Sequence, residues 1–182
     1  IRDFHPLNYA INIPEVVVHS SNIGSAKIAE KFGPSTQLKY LKSLGLMNKL
    51  SLELPEVGRP QVRTDRKLLT TMTISYGHGI SITPTHLTSA TATIVNDGIK
   101  VDPTLLISKS SKINNRIFSN KTSKTMRSIM RLVVSNKNGT AKQAEASGYL
   151  VGGKTGTAEK VNPAGGYFKK QNIVVLTSAF PM

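Results

Sequence analysis

The sequence predicts an α+β chain, with a helical subdomain followed by antiparallel sheet strands. Three observations predict it. Segments with helical spacing and recognisable caps dominate up to about residue 135. The two best strand candidates come last and are joined by Asn162-Pro163-Ala164-Gly165-Gly166, a hairpin loop by composition. Helices and strands do not alternate, which argues against a doubly wound α/β sheet.

Each element follows from local chemistry. Ser20 to Phe32 reads as a helix with Ile23, Ala26 and Ile28 as its small and apolar positions. Gly33-Pro34 stops it, and Ser35 is expected to cap a second short helix carrying Leu38, Leu41 and Leu44, ended by Gly45. Residues 51–72 read as loop, because Pro55, Gly58 and Pro60 break any regular element. Ser75 to Gly79 is a glycine turn. Thr83-Pro84 opens the clearest helix, with Leu87, Ala90, Ile94 and Val95 at helical spacing and Gly98 at its end. Ile113 to Ser119 is expected to be an edge strand. Ser119 or Asn120 then caps a helix to Val134 with Met126, Ile129, Met130 and Val133 as its stripe. Asn138-Gly139 is a turn. Tyr149 to Val161 reads as a glycine-rich strand, and Asn172 to Phe180 as its return partner with Val174, Val175 and Leu176 buried.

Composition narrows the function classes. At 182 residues the chain is one domain or a large piece of one. Hydrophobic residues are 38% and charged residues 19%, too apolar for a disordered chain. No apolar run approaches the roughly 18 residues of a membrane span. Cysteine is absent, which excludes a disulfide scaffold, a thiolate metal site and a cysteine nucleophile. His5, His19, His78 and His86 have no ligand spacing, so neither a metal nor another cofactor is expected. The net charge of +14 permits an anionic partner. Between Asp102 and Glu145 there is no acidic residue; Lys109, Lys112, Arg116, Lys121, Lys124, Arg127, Arg131, Lys137 and Lys142 fall there. A solvated basic face is the plainer explanation.

The strongest chemical signal is Gly153-Lys154-Thr155-Gly156-Thr157-Ala158. On a strand, Gly156 lets a substrate backbone approach closely. Main-chain N–H groups near Thr157 can then meet a developing oxyanion, with Lys154 supplying charge beside two hydroxyls. Gly148 to Thr155 also fits the spacing of a phosphate loop, G-x-x-x-x-G-K-[ST]. Its context does not, since that loop needs a helix after Lys-Thr and here a glycine and a turn follow. The second signal is Ser20-Ser21-Asn22 at a helix start. Alone it is an ordinary cap; its weight comes from the Lys-Thr-Gly far downstream.

Together these segments resemble the penicillin-binding protein and serine β-lactamase superfamily. Ser20-Ser21-Asn22 is similar to the second motif of its monofunctional peptidoglycan transpeptidases. Tyr76-Gly77-His78-Gly79 with Thr83-Pro84 is similar to their Tyr/Phe-Gly-x-Gly segment. Gly139-Thr140-Ala141 and Gly152 to Ala158 are similar to their closing segments. The Ser-x-Asn form resembles the cell-division type more than the elongation type. The resemblance implies a partial transpeptidase fold and acyl transfer through a serine acyl-enzyme on peptidoglycan stem peptides ending in D-Ala-D-Ala. It also implies β-lactam binding, division or elongation machinery as partners, and a place at the periplasmic face of the bacterial inner membrane. It gives Ser20 a proton-relay role and Asn22 and Lys154 roles in holding substrate. Thr155, Gly156 and Thr157 would form the carboxylate and oxyanion side.

One departure matters: no Ser-x-x-Lys occurs anywhere in the sequence. The family places that nucleophile motif upstream of Ser-x-Asn. Residues 1–182 are therefore expected to be part of a single transpeptidase domain without its nucleophile segment and C-terminal end, inactive alone and prone to expose sheet edges. Rival readings are a β-lactamase, for which Glu53 or Glu56 would have to supply a hydrolytic base, a β-lactam sensor, and a basic module for anionic polymer. Nucleic acid is not expected, because the acid-free run carries only Phe118 as an aromatic.

Overall fold

The computed structural model describes residues 1–107 and 115–182, with the side chains of Lys169 and Lys170 excepted. Its elements in chain order are α1 (Ile13–Val18), α2 (Asn22–Ser43), β1 (Gln61–Val62), α3 (Leu68–Ile74), β2 (Ile80–Ser81), α4 (Pro84–Val95), α5 (Asn120–Ser135), β3 (Gly152–Val161) and β4 (Tyr167–Ala179), with a short 3-10 turn at Lys142–Ala144. The α+β class holds, with β3 and β4 antiparallel at the end of the chain.

Side-chain caps fix where the helices start. Asn12 and Glu15 form a reciprocal capping box on α1, with Pro14 in its first turn. Ser21 accepts from the Gly24 N–H on α2, Thr83 from His86 on α4, and Ser119 from Thr122 on α5. Of the two candidates for the α5 cap, Ser119 is the one used. The chain breaks at Gly33 (φ 75°, ψ 174°), as its Gly-Pro pair requires. Ser35 does not cap the second half of α2, because Pro34 is already helical and takes the first-turn position. Gly45 at φ 79° follows the end of α2.

Three further expectations need correction. The stretch read as loop contains β1 and the start of α3; its prolines all precede the helix, and α3 is held by burying Thr70, Thr71 and Ile74 rather than by a cap. Gln37 of α2 donates its side-chain N–H to the Thr71 carbonyl at 2.9 Å in the buried seam between the two helices. The expected edge strand over Ile113–Ser119 reduces, in its described part, to a single bridge between Arg116 and Ile99; Ile113 lies outside the described residues, as do Lys109 and Lys112. The third concerns burial. Val174, Val175 and Leu176 of β4 are exposed (70%, 43% and 49%), because among the described residues β3 and β4 form a sheet of only two strands.

The core sits instead between α1, α5 and the segment before β3. Val18, Val133, Val134 and Ala141 cluster there, with Val17 and Ala144 against them. The α5 stripe is buried as expected at Ile129, Met130 and Val133. On α4 the most buried positions are His86, Ser89, Ala90 and Thr93, not Leu87 and Val95. Leu87 and Val95 face a groove of about 590 Å³ shared with Val175 and Leu176 of β4. His86 is satisfied inside: its Nε2–H donates to the Asn48 carbonyl at 2.9 Å, so Nδ1 accepts from the Thr83 hydroxyl at 2.7 Å.

Candidate active site

The site begins at the junction of α1 and α2. The α1 helix closes at His19, and Ser20 follows with φ 54°, a left-handed conformation that costs a non-glycine residue roughly 1–2 kcal/mol. That turn lets Ser21 restart the chain as the α2 cap. It also brings the Ser20 hydroxyl opposite β3, where Lys154 Nζ donates to Ser20 Oγ. Lys154 also donates to the Thr155 carbonyl at 2.9 Å. Burial pushes the Lys154 ammonium below the usual lysine range, since the site offers it hydroxyl and carbonyl oxygens in place of full hydration.

The next residue of β3 points elsewhere. Thr155 donates its hydroxyl to Thr140 Oγ1 at 2.8 Å, and the Thr140 N–H donates to the Val18 carbonyl at 3.3 Å. Thr140 thus ties β3 to the end of α1 at Val18, four residues before Asn22. Gly139 before it has no room for a side chain, as a Cβ would lie 2.1 Å from the Val133 carbonyl oxygen. At Gly156 a Cβ would meet Val175 Cγ2 at 3.0 Å. At Gly153 it would meet the Thr177 carbonyl at 2.6 Å, so cross-strand packing also requires glycine in this motif.

Asn22 and Thr157 line one cleft of about 690 Å³. Its other wall is the turn Tyr76-Gly77-His78-Gly79, made possible by φ of 93° at Gly77 and 82° at Gly79. At its outer end the Tyr167 hydroxyl and His78 Nε2 share a hydrogen bond of 3.0 Å. The Asn22 amide is oriented, because its Nδ2 donates to the Arg2 carbonyl at 2.8 Å. The start of β3 is anchored by Arg131 of α5, which donates to both carboxylate oxygens of Glu145 (2.7 and 2.8 Å) and to the Val151 carbonyl (2.8 Å). That guanidinium holds the Glu145 carboxyl below the usual range.

The structure therefore brings Ser20 to Lys154 and Asn22 to the cleft of Thr157, across more than 130 residues of sequence. Gly156 and Thr155 lie on the strand between them. Sequence reasoning missed Asp3, His78's contact with Tyr167, and the role of Thr140 as the partner of Thr155. Thr140 carried a signal, the Gly139-Thr140-Ala141 string; Asp3 carried none.

Three rival features look different in three dimensions. Glu53 accepts from the Thr104 hydroxyl (2.5 Å) and the Leu105 N–H (2.9 Å), and neither Glu53 nor Glu56 lines the cleft of Asn22 and Thr157. In the acid-free run, Arg127 and Arg131 turn to Asp97 and Glu145, which removes two cations from the basic face. The phosphate-loop spacing fails as well, since β3 runs through Lys154 and Thr155 to Val161 with no helix after them.

The Lys-Thr-Gly strand thus faces the Ser-x-Asn helix start, and comparison with known proteins gives the family. The chain belongs to the family of the penicillin binding protein transpeptidase domain, whose model matches residues 1–181. It is 36% identical over 168 residues to a protein of Caulobacter vibrioides named probable peptidoglycan D,D-transpeptidase FtsI, covering 90% of this chain and 28% of that protein. Among solved structures, the apo transpeptidase domain of Burkholderia pseudomallei penicillin-binding protein 3 superposes with a TM-score of 0.85 at 29% identity, over 92% of this chain and 51% of that one. Penicillin-binding protein 3 of Mycobacterium tuberculosis complexed with aztreonam gives a TM-score of 0.91 at 25% identity, over 98% of this chain and 44% of that one. The chain thus spans about half of these structures and just over a quarter of the FtsI protein.

Proposed function

We propose that residues 1–182 are part of one transpeptidase domain of a penicillin-binding D,D-transpeptidase, which cross-links peptidoglycan stem peptides through a serine acyl-enzyme during cell division. The observation that carries this reading is the hydrogen bond from Lys154 of β3 to Ser20 at the start of α2, which joins the two motifs. The FtsI name of the Caulobacter relative supports the division role. The aztreonam complex of the mycobacterial structure supports β-lactams as ligands. Division machinery proteins are the partners this reading implies, at the periplasmic face of the inner membrane. Among the described residues no helix is long and apolar enough to cross a membrane.

The roles are those the family resemblance implies, set on this geometry. A stem peptide ending in D-Ala-D-Ala lies along β3 in the cleft lined by Asn22 and Thr157. Asn22 has one amide proton committed to Arg2, and its other polar groups serve the substrate amide. Gly156 lets the scissile carbonyl approach the strand, and the Thr157 N–H meets the oxyanion as it forms; one such donor is worth about 10²–10³ in rate. Thr157 binds the terminal carboxylate through its hydroxyl, and Thr155 joins it by turning its hydroxyl proton from Thr140, with the Lys154 charge behind them. Ser20 accepts from Lys154, so its own hydroxyl proton is free to pass to the departing amine, and Lys154 restores the relay. The attacking serine belongs to a Ser-x-x-Lys, a spacing these residues do not contain.

Fluorescent-penicillin labelling, read by gel and intact mass, tests the proposal on this chain beside the product of its reading frame extended in both directions. Uptake of one penicilloyl group by the extended protein alone is the expected result. A folded extended protein that takes up none would refute it.

A further inference from the structure

The loop that carries Ser20, Ser21 and Asn22 is held from a distance by Arg2 and Asp3. The Asp3 carboxylate spans the start of α2. Its Oδ2 accepts from the Ser21 hydroxyl at 2.9 Å, and its Oδ1 accepts from the Ile23 N–H at 2.9 Å. One residue earlier, the Arg2 carbonyl accepts from the Asn22 side chain at 2.8 Å. Each of these bonds crosses 18 to 20 residues of sequence, so together they form a tertiary clamp.

We infer that Asp3 is a positioning residue for the active site: through Ser21 and Ile23 it fixes the left-handed turn at Ser20 and the direction of Asn22, and so the meeting of Ser20 with Lys154. The inference rests on the site reading given above and deepens it. Three physical arguments carry it. Ser21 is buried (5% exposed) and its hydroxyl is used twice, accepting from the Gly24 N–H at 2.9 Å while donating to Asp3. Asp3 thereby sets the rotamer of the cap. A carboxylate at the first turn of a helix also meets the positive end of its dipole, which draws Asp3 to this position. Finally, Ser20 has an unfavourable backbone conformation, and such a residue persists only when its surroundings over-determine it. On its N-terminal side α1 supplies that constraint through the Ser20 and Ser21 N–H bonds to the Val17 and Val16 carbonyls. On its C-terminal side the constraint is the Asp3-held cap. Asp3 touches neither Ser20 nor Lys154, so it acts only through this loop.

The test compares this chain with its D3A, D3N and D3E variants, using H86A as a control that loosens the fold away from the site. Two readouts are followed by NMR. One is hydrogen exchange at the Gly24 and Ser25 amides, which Asp3 does not contact. The other is the titration of the Lys154 ammonium. D3A is expected to speed exchange at both amides at least ten-fold beyond H86A and to move the Lys154 titration up toward the ordinary lysine value as water reaches it. D3E, which keeps the charge and both acceptors, is expected to recover part of each effect, and D3N to lie between. Should D3A fail to fold, D3N and D3E carry the comparison. Unchanged exchange and an unchanged Lys154 titration in the Asp3 variants would overturn the inference, as would the same change in H86A. Zero coupling between Ser20→Ala and Lys154→Met in a double-mutant cycle would instead refute the Ser20–Lys154 site itself, and the clamp's role with it.

Discussion

Replacing Lys154 with methionine separates what the site costs from what it does. In the wild type the ammonium donates to Ser20 Oγ and to the Thr155 carbonyl. Hydrogen bonds from a charged donor are worth about 1.5–3 kcal/mol. Against this stands the burial that pushes the group below its usual value of 10.5. At neutral pH the two effects oppose, so Lys154→Met should change stability by less than about 2 kcal/mol, a small effect for the loss of a half-buried charge. The pH dependence is more telling. Because the folded-state value is lowered, the unfolded chain binds more protons in the window between that value and 10.5, and wild-type stability rises with pH there. The slope has an upper limit of about 1.4 kcal/mol per pH unit, reached only for a full proton difference. Below it the burial penalty is fully present. Urea unfolding of both proteins from pH 7 to pH 10.5 measures the difference, with the other lysines and tyrosines cancelling between them. A wild-type advantage that grows through this range is expected. A difference that stays flat, or shrinks, would refute a net burial penalty on the Lys154 ammonium.

Other outcomes follow from single contacts. Gly24→Ala would place a Cβ 2.5 Å from Val16 Cγ2 and 2.8 Å from Cγ1, so a loss of about 1–3 kcal/mol in chemical denaturation is expected by overpacking; an unchanged midpoint would mean that α1 does not lie against α2. The Arg131–Glu145 pair stabilises the chain above the ordinary glutamate value of 4.5, and its contribution fades as pH falls through the lowered folded value. Glu145→Gln should therefore be less stable than wild type at pH 7, with the gap closing in acid. Val174→Lys should leave the stability of this chain within about 0.5 kcal/mol and raise its solubility, because Val174 is 70% exposed on β4. A large loss in thermal stability would mean that this face of β4 is covered.

What the sequence made legible is local. The Ser119 and Thr83 caps, the break at Gly33 and the Asn-Pro-Ala-Gly-Gly hairpin each depend on one or two residues whose backbone chemistry leaves few options. The six-residue helix α1 is too short for a helical period to show, although its Asn12 and Glu15 box is written in the sequence. Helix α3 was hidden because threonines and a leucine pair give no stripe, and only contact with α2 decides their state. The apolar run of β4 read as core because periodicity reports hydrophobicity, not whether a neighbour exists to cover it. The same limit applies to the site. Ser20, Asn22 and Lys154 were legible as motifs, but the hold of Asp3 on Ser21 and of Thr140 on Thr155 are tertiary contacts with no sequence spacing of their own.

The central claim is that the Ser20 segment and the Lys154 strand form one site. A double-mutant cycle on Ser20→Ala and Lys154→Met measures it most directly, with stability read by urea unfolding at pH 7. A charged donor and its hydroxyl acceptor in contact should show a coupling energy between about 0.5 and 3 kcal/mol. Additive effects, with a coupling indistinguishable from zero, would contradict the account.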